Sequence, residues 1–172
     1  SRKDKRFVVT VRPGPHKKAY AIPTAVFLRD MLKIVTSLRE AKASIYSGKV
    51  KIDGVVRKSL HHAIGLMDVV ELENTSDVYR LVPMQGKLLR PLKINESEKG
   101  KKLVRVTSKT TISKGRMQIG FHDGRSIISD IQVSVGDTCL IQIPEQKILE
   151  VIKLEPGCQA LVTRGINAGQ IG

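Results

Sequence analysis

From Pro23 onward the apolar positions fall on a 3.6-residue period. Phe27, Leu28, Met31, Leu32 and Val35 line one face of AVFLRDMLKIV, and Pro23 suits a first helical turn. A second helix starts at Ser37, where Ser37 and Glu40 form a capping box that satisfies two backbone N–H groups the first turn leaves unpaired. Leu38, Ala41 and Ile45 give it an apolar face, Arg39 and Lys42 project elsewhere, and Gly48 accepts the left-handed backbone that commonly ends a helix. The period then changes to two. Val50, Ile52 and Val55 alternate with basic or polar residues across Lys49 to Val56, and Asp53-Gly54 is the dipeptide best suited to a tight hairpin turn. LHHAIGLMDVVELEN leads through Gly65 into an apolar strand, Val69 to Leu72, and a polar turn precedes VYRLV. Beyond residue 78 only short alternating runs remain: LVRVT, MQIGF, SIIS, TCLIQI and ILEVIKL, divided by HDGRS, VGD and PEQK. The pattern predicts an α+β chain whose helices lie early and whose second half is antiparallel β.

Charge adds a partner class to this outline. Lys plus Arg number 30 against 16 Asp plus Glu, a net charge of +14 over 172 residues, which attracts polyanions. Nucleic acid leads. An anionic membrane surface is the weaker rival, because no segment joins a long apolar face to a basic one and no apolar run approaches the ~20 residues of a spanning helix. Two cysteines, Cys139 and Cys158, fit a reducing compartment better than a disulfide scaffold. Residues 1 to 18 hold seven Lys or Arg against Asp4 alone, and Pro13, Gly14 and Pro15 forbid a continuous helix or central strand there. This is an extended basic arm, either solvated or, as favoured here, ordered by RNA; its candidate contacts are Arg2, Lys3, Lys5, Arg6, Arg12, His16, Lys17 and Lys18. A second basic stretch, Lys99 to Arg116, has seven cations and no acid, and is either a second RNA face or a solvated loop. With three Phe, three Tyr and no Trp, recognition should rest on backbone and shape more than on stacking.

The residues Leu38, Arg39, Ala41, Lys42, Ile45, Gly48, Val50, Ile52, Asp53, Gly54, Asp68 and Val69 match the LR-AK-I--G-V-ING and D-V pattern of the RNA-binding domain of the small-subunit-protein-four type, which the chain resembles. The order of the flanks is more specific: Gly14-Pro15-His16-Lys17, then that domain, GLMDVVEL, His122-Asp123-Gly124-Arg125, VGDT and GCQALVTRGINAGQIG. Over nearly its whole length the chain resembles the archaeal and eukaryotic small-subunit ribosomal protein family four, which is distinct from the bacterial protein of that number. The resemblance implies four parts: a basic arm over 1–22, the RNA-binding domain over 23–74, a central β domain over 75–156, and the start of an incomplete KOW barrel over 157–172, where Gly165, Gly169 and Gly172 permit bends. It implies a structural constituent of the cytoplasmic small ribosomal subunit, with rRNA and neighbouring ribosomal proteins as partners and no cofactor, membrane or small-molecule substrate. Candidate RNA contacts beyond the arm are Arg39, Lys42, Lys49, Lys51, Arg57, Lys58, Lys101, Lys102 and Arg125.

Catalysis finds little footing. His61-His62 point in different directions along the chain with no third metal ligand nearby, so structural or RNA-stacking roles fit better. Cys139 reads as core, and neither cysteine has a CxxC partner. Asp123-Gly124 between two apolar runs reads as a hairpin turn before it reads as acid–base chemistry. No GxGxxG or GxxxxGK[ST] loop occurs. The alternatives are a KOW-bearing transcription or translation factor and the non-catalytic part of an RNA-modifying enzyme.

Overall fold

A computed structural model describes residues 8–73, 75 and 77–172, with only the backbone described at residue 114. Strand β1 (Ile22–Pro23) leads into the short helix α1 (Thr24–Val26), which widens into a π-helical turn over Phe27–Met31. The helix expected to continue to Val35 therefore stops early. Leu32 N–H reaches back to Phe27 O at 3.0 Å, Ile34 N–H reaches Leu28 O at 3.2 Å, and Lys33 takes a left-handed backbone with φ 55°. Phe27, Leu28 and Val35 all enter one core, Val35 from beyond the end of the helix.

Helix α2 (Leu38–Tyr46) forms as its signals predict. Ser37 Oγ accepts from Glu40 N–H at 3.2 Å, Ser37 N–H donates to the Glu40 carboxylate at 3.4 Å, and Ala41 and Ile45 are buried. Gly48, at φ 83°, closes the helix. Strands β2 (Val50–Ile52) and β3 (Val55–Val56) then pair through Asp53 and Gly54, both at positive φ, as a two-residue mirror-image turn requires.

Strand β4 (Ala63–Ile64) pairs with β1, while β5 (Val69–Leu72), β6 (Val78–Met84) and β7 (Lys87–Ile94) extend the first sheet to the order β3-β2-β5-β6-β7. Strands from both sides of residue 75, β5 and β6, thus pair in one sheet. The second sheet comprises β8 (Lys101–Thr111), β9 (Met117–Phe121), β10 (Ser126–Ile128), β11 (Thr138–Gln142) and β12 (Lys147–Ile152), ordered β10-β9-β8-β11-β12 and antiparallel throughout. The chain is thus α+β, with few helices and mainly antiparallel sheets.

Successive residues of a strand face opposite ways, and this places the first sheet between two cores. Val70 joins Phe27, Leu28, Ala41 and Ile45 in one; its neighbour Val69 joins Val104, Ile119, Cys139 and Ile141 of the second sheet in the other. A strand buried on both faces explains why the sequence reads as an unbroken apolar pair there. Residues 153–172 fold back on themselves: Leu161 lies opposite Ile171, and Ala160 and Gly172 exchange two backbone hydrogen bonds. Gly169, at φ 90°, sits so near β6 that a Cβ would come within 2.8 Å of Pro83 O, so only glycine fits without a shift.

Candidate nucleic-acid interface

The expected RNA contacts divide by environment. Arg39 and Lys42 are exposed on α2, with the Lys42 ammonium 5.7 Å from the Tyr46 ring centroid, one turn ahead on the same face. Lys49 and Lys51 are half-buried on the hairpin; Lys51 stands opposite Glu71 across the β2–β5 ladder, which tempers its charge. Arg57 and Lys58 follow, both exposed, and the Lys58 stem runs beside Gly48 at the end of α2. Lys58 thereby joins helix and hairpin into one cationic surface. On β8, Lys101 is exposed.

The arm is not a free tail from Val11 onward. Val11 and Ala21 bury against Ala63, Arg12 N–H donates to His61 O at 3.1 Å, and the His61 ring hydrogen-bonds Thr10 O at 2.8 Å. Arg12, Lys17 and Lys18 point outward from this docked segment. Arg2, Lys3, Lys5 and Arg6 lie outside the described residues.

His16, Lys102 and Arg125, also among the expected RNA contacts, lie together in a buried ion cluster. Lys102 is 0% exposed, its ammonium 2.7 Å from Asp53, 2.6 Å from Asp68 and 3.0 Å from Asp123. Arg125 bridges Asp53 at 2.6 Å and Asp123 at 3.2 Å. His16 Nε2 lies 3.0 Å from both Asp68 oxygens, its ring seated over Gly65, where any Cβ would overlap it. Each carboxylate is also anchored locally: Asp53 accepts from Val69 N–H at 2.9 Å and Asp68 from Gly65 N–H at 2.8 Å. Physically, a lysine inside a core survives only with its charge matched, and three carboxylates at turn and strand ends supply that match.

The titration behaviour follows from these distances. Burial pushes the Lys102 ammonium toward neutrality, but Asp68, Asp53 and Asp123 outweigh it and raise its pKa well above the lysine range. Burial likewise pushes Asp68 up, yet Lys102 and His16 hold it well below the usual carboxylate range; burial also pushes Asp123 up, but Lys102 and Arg125 outweigh it and lower its pKa. Asp53 goes the other way, raised by burial and by the neighbouring Asp68 charge against the pull of Lys102.

Consequently the motifs that stood out in the sequence meet at one place. Gly14-Pro15-His16 of the arm, the Asp53-Gly54 turn, Asp68 of GLMDVVEL and the His122-Asp123-Gly124-Arg125 turn converge on Lys102, and Gly124 leaves room for Pro15 O, which a Cβ would approach to 3.0 Å. His122 is structural as well: its Nδ1 accepts from Arg105 N–H at 3.1 Å, so Nε2 carries the proton and donates to Leu66 O at 3.2 Å. Asp137 of VGDT accepts from Ser134 N–H at 2.8 Å and Leu154 N–H at 3.1 Å, tethering the tail. Sequence reading missed the role of Lys102, though a signal existed: Lys102 is in phase with the buried Val104 and Val106, whereas Lys101 and Arg105 are in phase with each other and face out. Among the described residues no group of three or more His, Cys, Asp or Glu is placed to hold a metal.

Fold and site together define an α+β protein of two five-stranded antiparallel sheets and a small two-stranded one, fastened through a buried ion cluster and displaying cations around one helix and hairpin. Residues 75–148 match the sequence pattern of the ribosomal family S4e. The small ribosomal subunit protein eS4 of Pyrobaculum arsenaticum is 42% identical over 170 residues, covering 96% of this chain and 71% of that protein. Its counterpart from Methanothermobacter thermautotrophicus is 42% identical over 170 residues, covering 99% and 70%. The crystal structure of the 30S ribosomal protein S4e from Thermoplasma acidophilum superposes with a TM-score of 0.79 at 34% identity, over 89% of this chain and 79% of that one. The chain belongs to the S4e family of small ribosomal subunit proteins.

Proposed function

We infer that this protein is a structural constituent of the small ribosomal subunit in the cytoplasm, binding rRNA and stabilising its folded form without catalysing a reaction. Membership of the S4e family carries the reading. The distribution of charge supports it. Among the described residues the buried charged side chains are Asp53, Asp68, Asp123 and Asp137 against Arg29 and Lys102, so there folding hides more negative than positive charge and leaves the surface more basic. A surface of this kind neutralises phosphates and releases their counterions.

The contacts we assign are the outward-facing cations: Arg39, Lys42, Lys49, Lys51, Arg57 and Lys58 around α2 and the hairpin, Lys101 on the second sheet, and Arg12, Lys17 and Lys18 on the docked arm. Neighbouring ribosomal proteins complete the set of partners, and no cofactor is required. The test is a titration of the full chain with small-subunit rRNA at several salt concentrations. The logarithm of affinity should fall linearly and steeply with the logarithm of salt. A flat dependence, or turnover of the RNA into a modified product, contradicts the reading.

A further inference from the structure

The arm, the tail and both sheets enclose a cleft of about 570 Å³, with His16, the partner of Asp68, on its wall. Its floor is apolar, including Leu66, Leu89 and Leu103. Its rim is cationic: Lys17 from the arm, Arg105 from β8 and Arg164 from the tail. Among the described residues that line it, not one is Asp or Glu. The Arg164 guanidinium stacks 3.5 Å from the centroid of the Tyr20 ring, so arm and tail are clasped across the opening and a flat aromatic surface stands at the mouth.

We propose that this cleft receives an unpaired nucleotide of RNA, its base against the apolar floor and its flanking phosphates on Lys17, Arg105 and Arg164. The volume lies within the ~300–1,000 Å³ of sites that enclose a whole small ligand. Complementarity selects the occupant. A cleft with cations and no acids rejects a basic peptide and favours a polyanion, and an apolar floor is wasted on a paired helix, whose bases are stacked away. An unstacked base joined to phosphates satisfies both halves, and single-stranded or bulged nucleotides are where RNA offers that combination. The paired regions are left to the surface around α2. The proposal deepens the RNA-binding reading, on which it rests, by naming the feature of the RNA that is read.

The test compares three RNAs bound to the full chain: a paired duplex, the same duplex with one unpaired adenosine, and that bulge with an abasic site. The bulged RNA should bind on the order of tenfold tighter than the paired one, within the range a stacked base contributes, and the abasic bulge should lose the preference. Leu103→Asp and Arg105→Gln should each bring the ratio of bulged to paired affinity down to near unity. Alkylation of the parent protein gives a readout that no variant's folding affects, because Cys158 is half-buried on the cleft wall while Cys139 is fully buried. Iodoacetamide should modify Cys158 several-fold more slowly when the bulged RNA is bound, and at the usual rate beside the paired one. Equal affinity for all three RNAs, or an unprotected Cys158, overturns the assignment and leaves the cleft to a protein segment. Failure to bind any of the three at low salt would instead remove the RNA-binding reading itself.

Discussion

The surface around α2 and the junction around Lys102 use the same side chains to opposite ends. Around α2, Arg39, Lys42, Arg57 and Lys58 stand in water, where a charge is held cheaply and is free to meet a phosphate. At the junction, Lys102 has no exposure and every charge on it is answered by Asp53, Asp68 or Asp123. The first arrangement contributes little to stability and much to long-range attraction. The second contributes nothing to attraction, but it fixes the arm, the first sheet and the second sheet relative to one another. Basic residues in a ribosomal protein thus do two separate jobs, and burial decides which.

Lys102→Met breaks the contrast most severely. It leaves three carboxylates answered only by Arg125, at Asp53 and Asp123, and by His16, at Asp68, and removing one partner of a buried ion network costs about 3–5 kcal/mol. Against a total of roughly 5–15 kcal/mol for a domain, that is a large fraction, and the urea midpoint should fall accordingly. Adding Asp68→Asn to Lys102→Met should recover part of the loss, because the two sites share one network and their effects do not add. Equal midpoints for the parent and Lys102→Met would show that the cluster does not hold the sheets together.

The same cluster sets the dependence on pH. Asp68 and Asp123 have folded pKa values below their unfolded ones, so their contribution is present above about pH 4 and is lost as the pH falls through the folded values. Asp53, raised in the fold, opposes them and softens the acid limb. Lys102 is raised, so its contribution is complete below about pH 10 and declines as the pH rises toward its folded value. Thermal melts should be steady from about pH 7 to 9, lose stability below that as the unfolded chain protonates His62 and His122, whose pKa values burial lowers in the fold, and then the carboxylates, and lose it again above about pH 10, where Lys102→Met should flatten the limb.

Smallest is the effect of the helix cap. Ser37→Ala removes the acceptor of Glu40 N–H and should lower stability by about 1 kcal/mol, read as a shift in melting temperature, with RNA affinity at moderate temperature close to the parent's.

What could be read from the sequence follows from the range of each interaction. The cap at Ser37, the stop at Gly48 and the two Asp-Gly turns are decided within four residues, so local signals sufficed. The early end of the first helix was hidden, because Val35 returns to the core beside Phe27 and Leu28 by way of a π turn that no periodicity announces. The pairing of β6 and β7 with the first sheet, and the convergence of His16, Asp53, Asp68 and Asp123 on one lysine, span distances along the chain that only the fold closes. Residue type alone places Lys102 among the expected RNA contacts, whereas its phase with Val104 and Val106 points inward.

The division of labour is tested most directly by replacing Arg39, Lys42, Lys49 and Lys51 with Ala and measuring rRNA affinity across a range of salt. None of the four lies in the buried cluster, and Leu38, Ile45, Val50 and Ile52 are untouched, so the melting temperature should stay near the parent's while affinity drops. The slope against salt should flatten by about one unit for each phosphate contact removed. A variant that binds as tightly as the parent with an unchanged slope would contradict the account, placing the RNA-contacting surface elsewhere on the molecule.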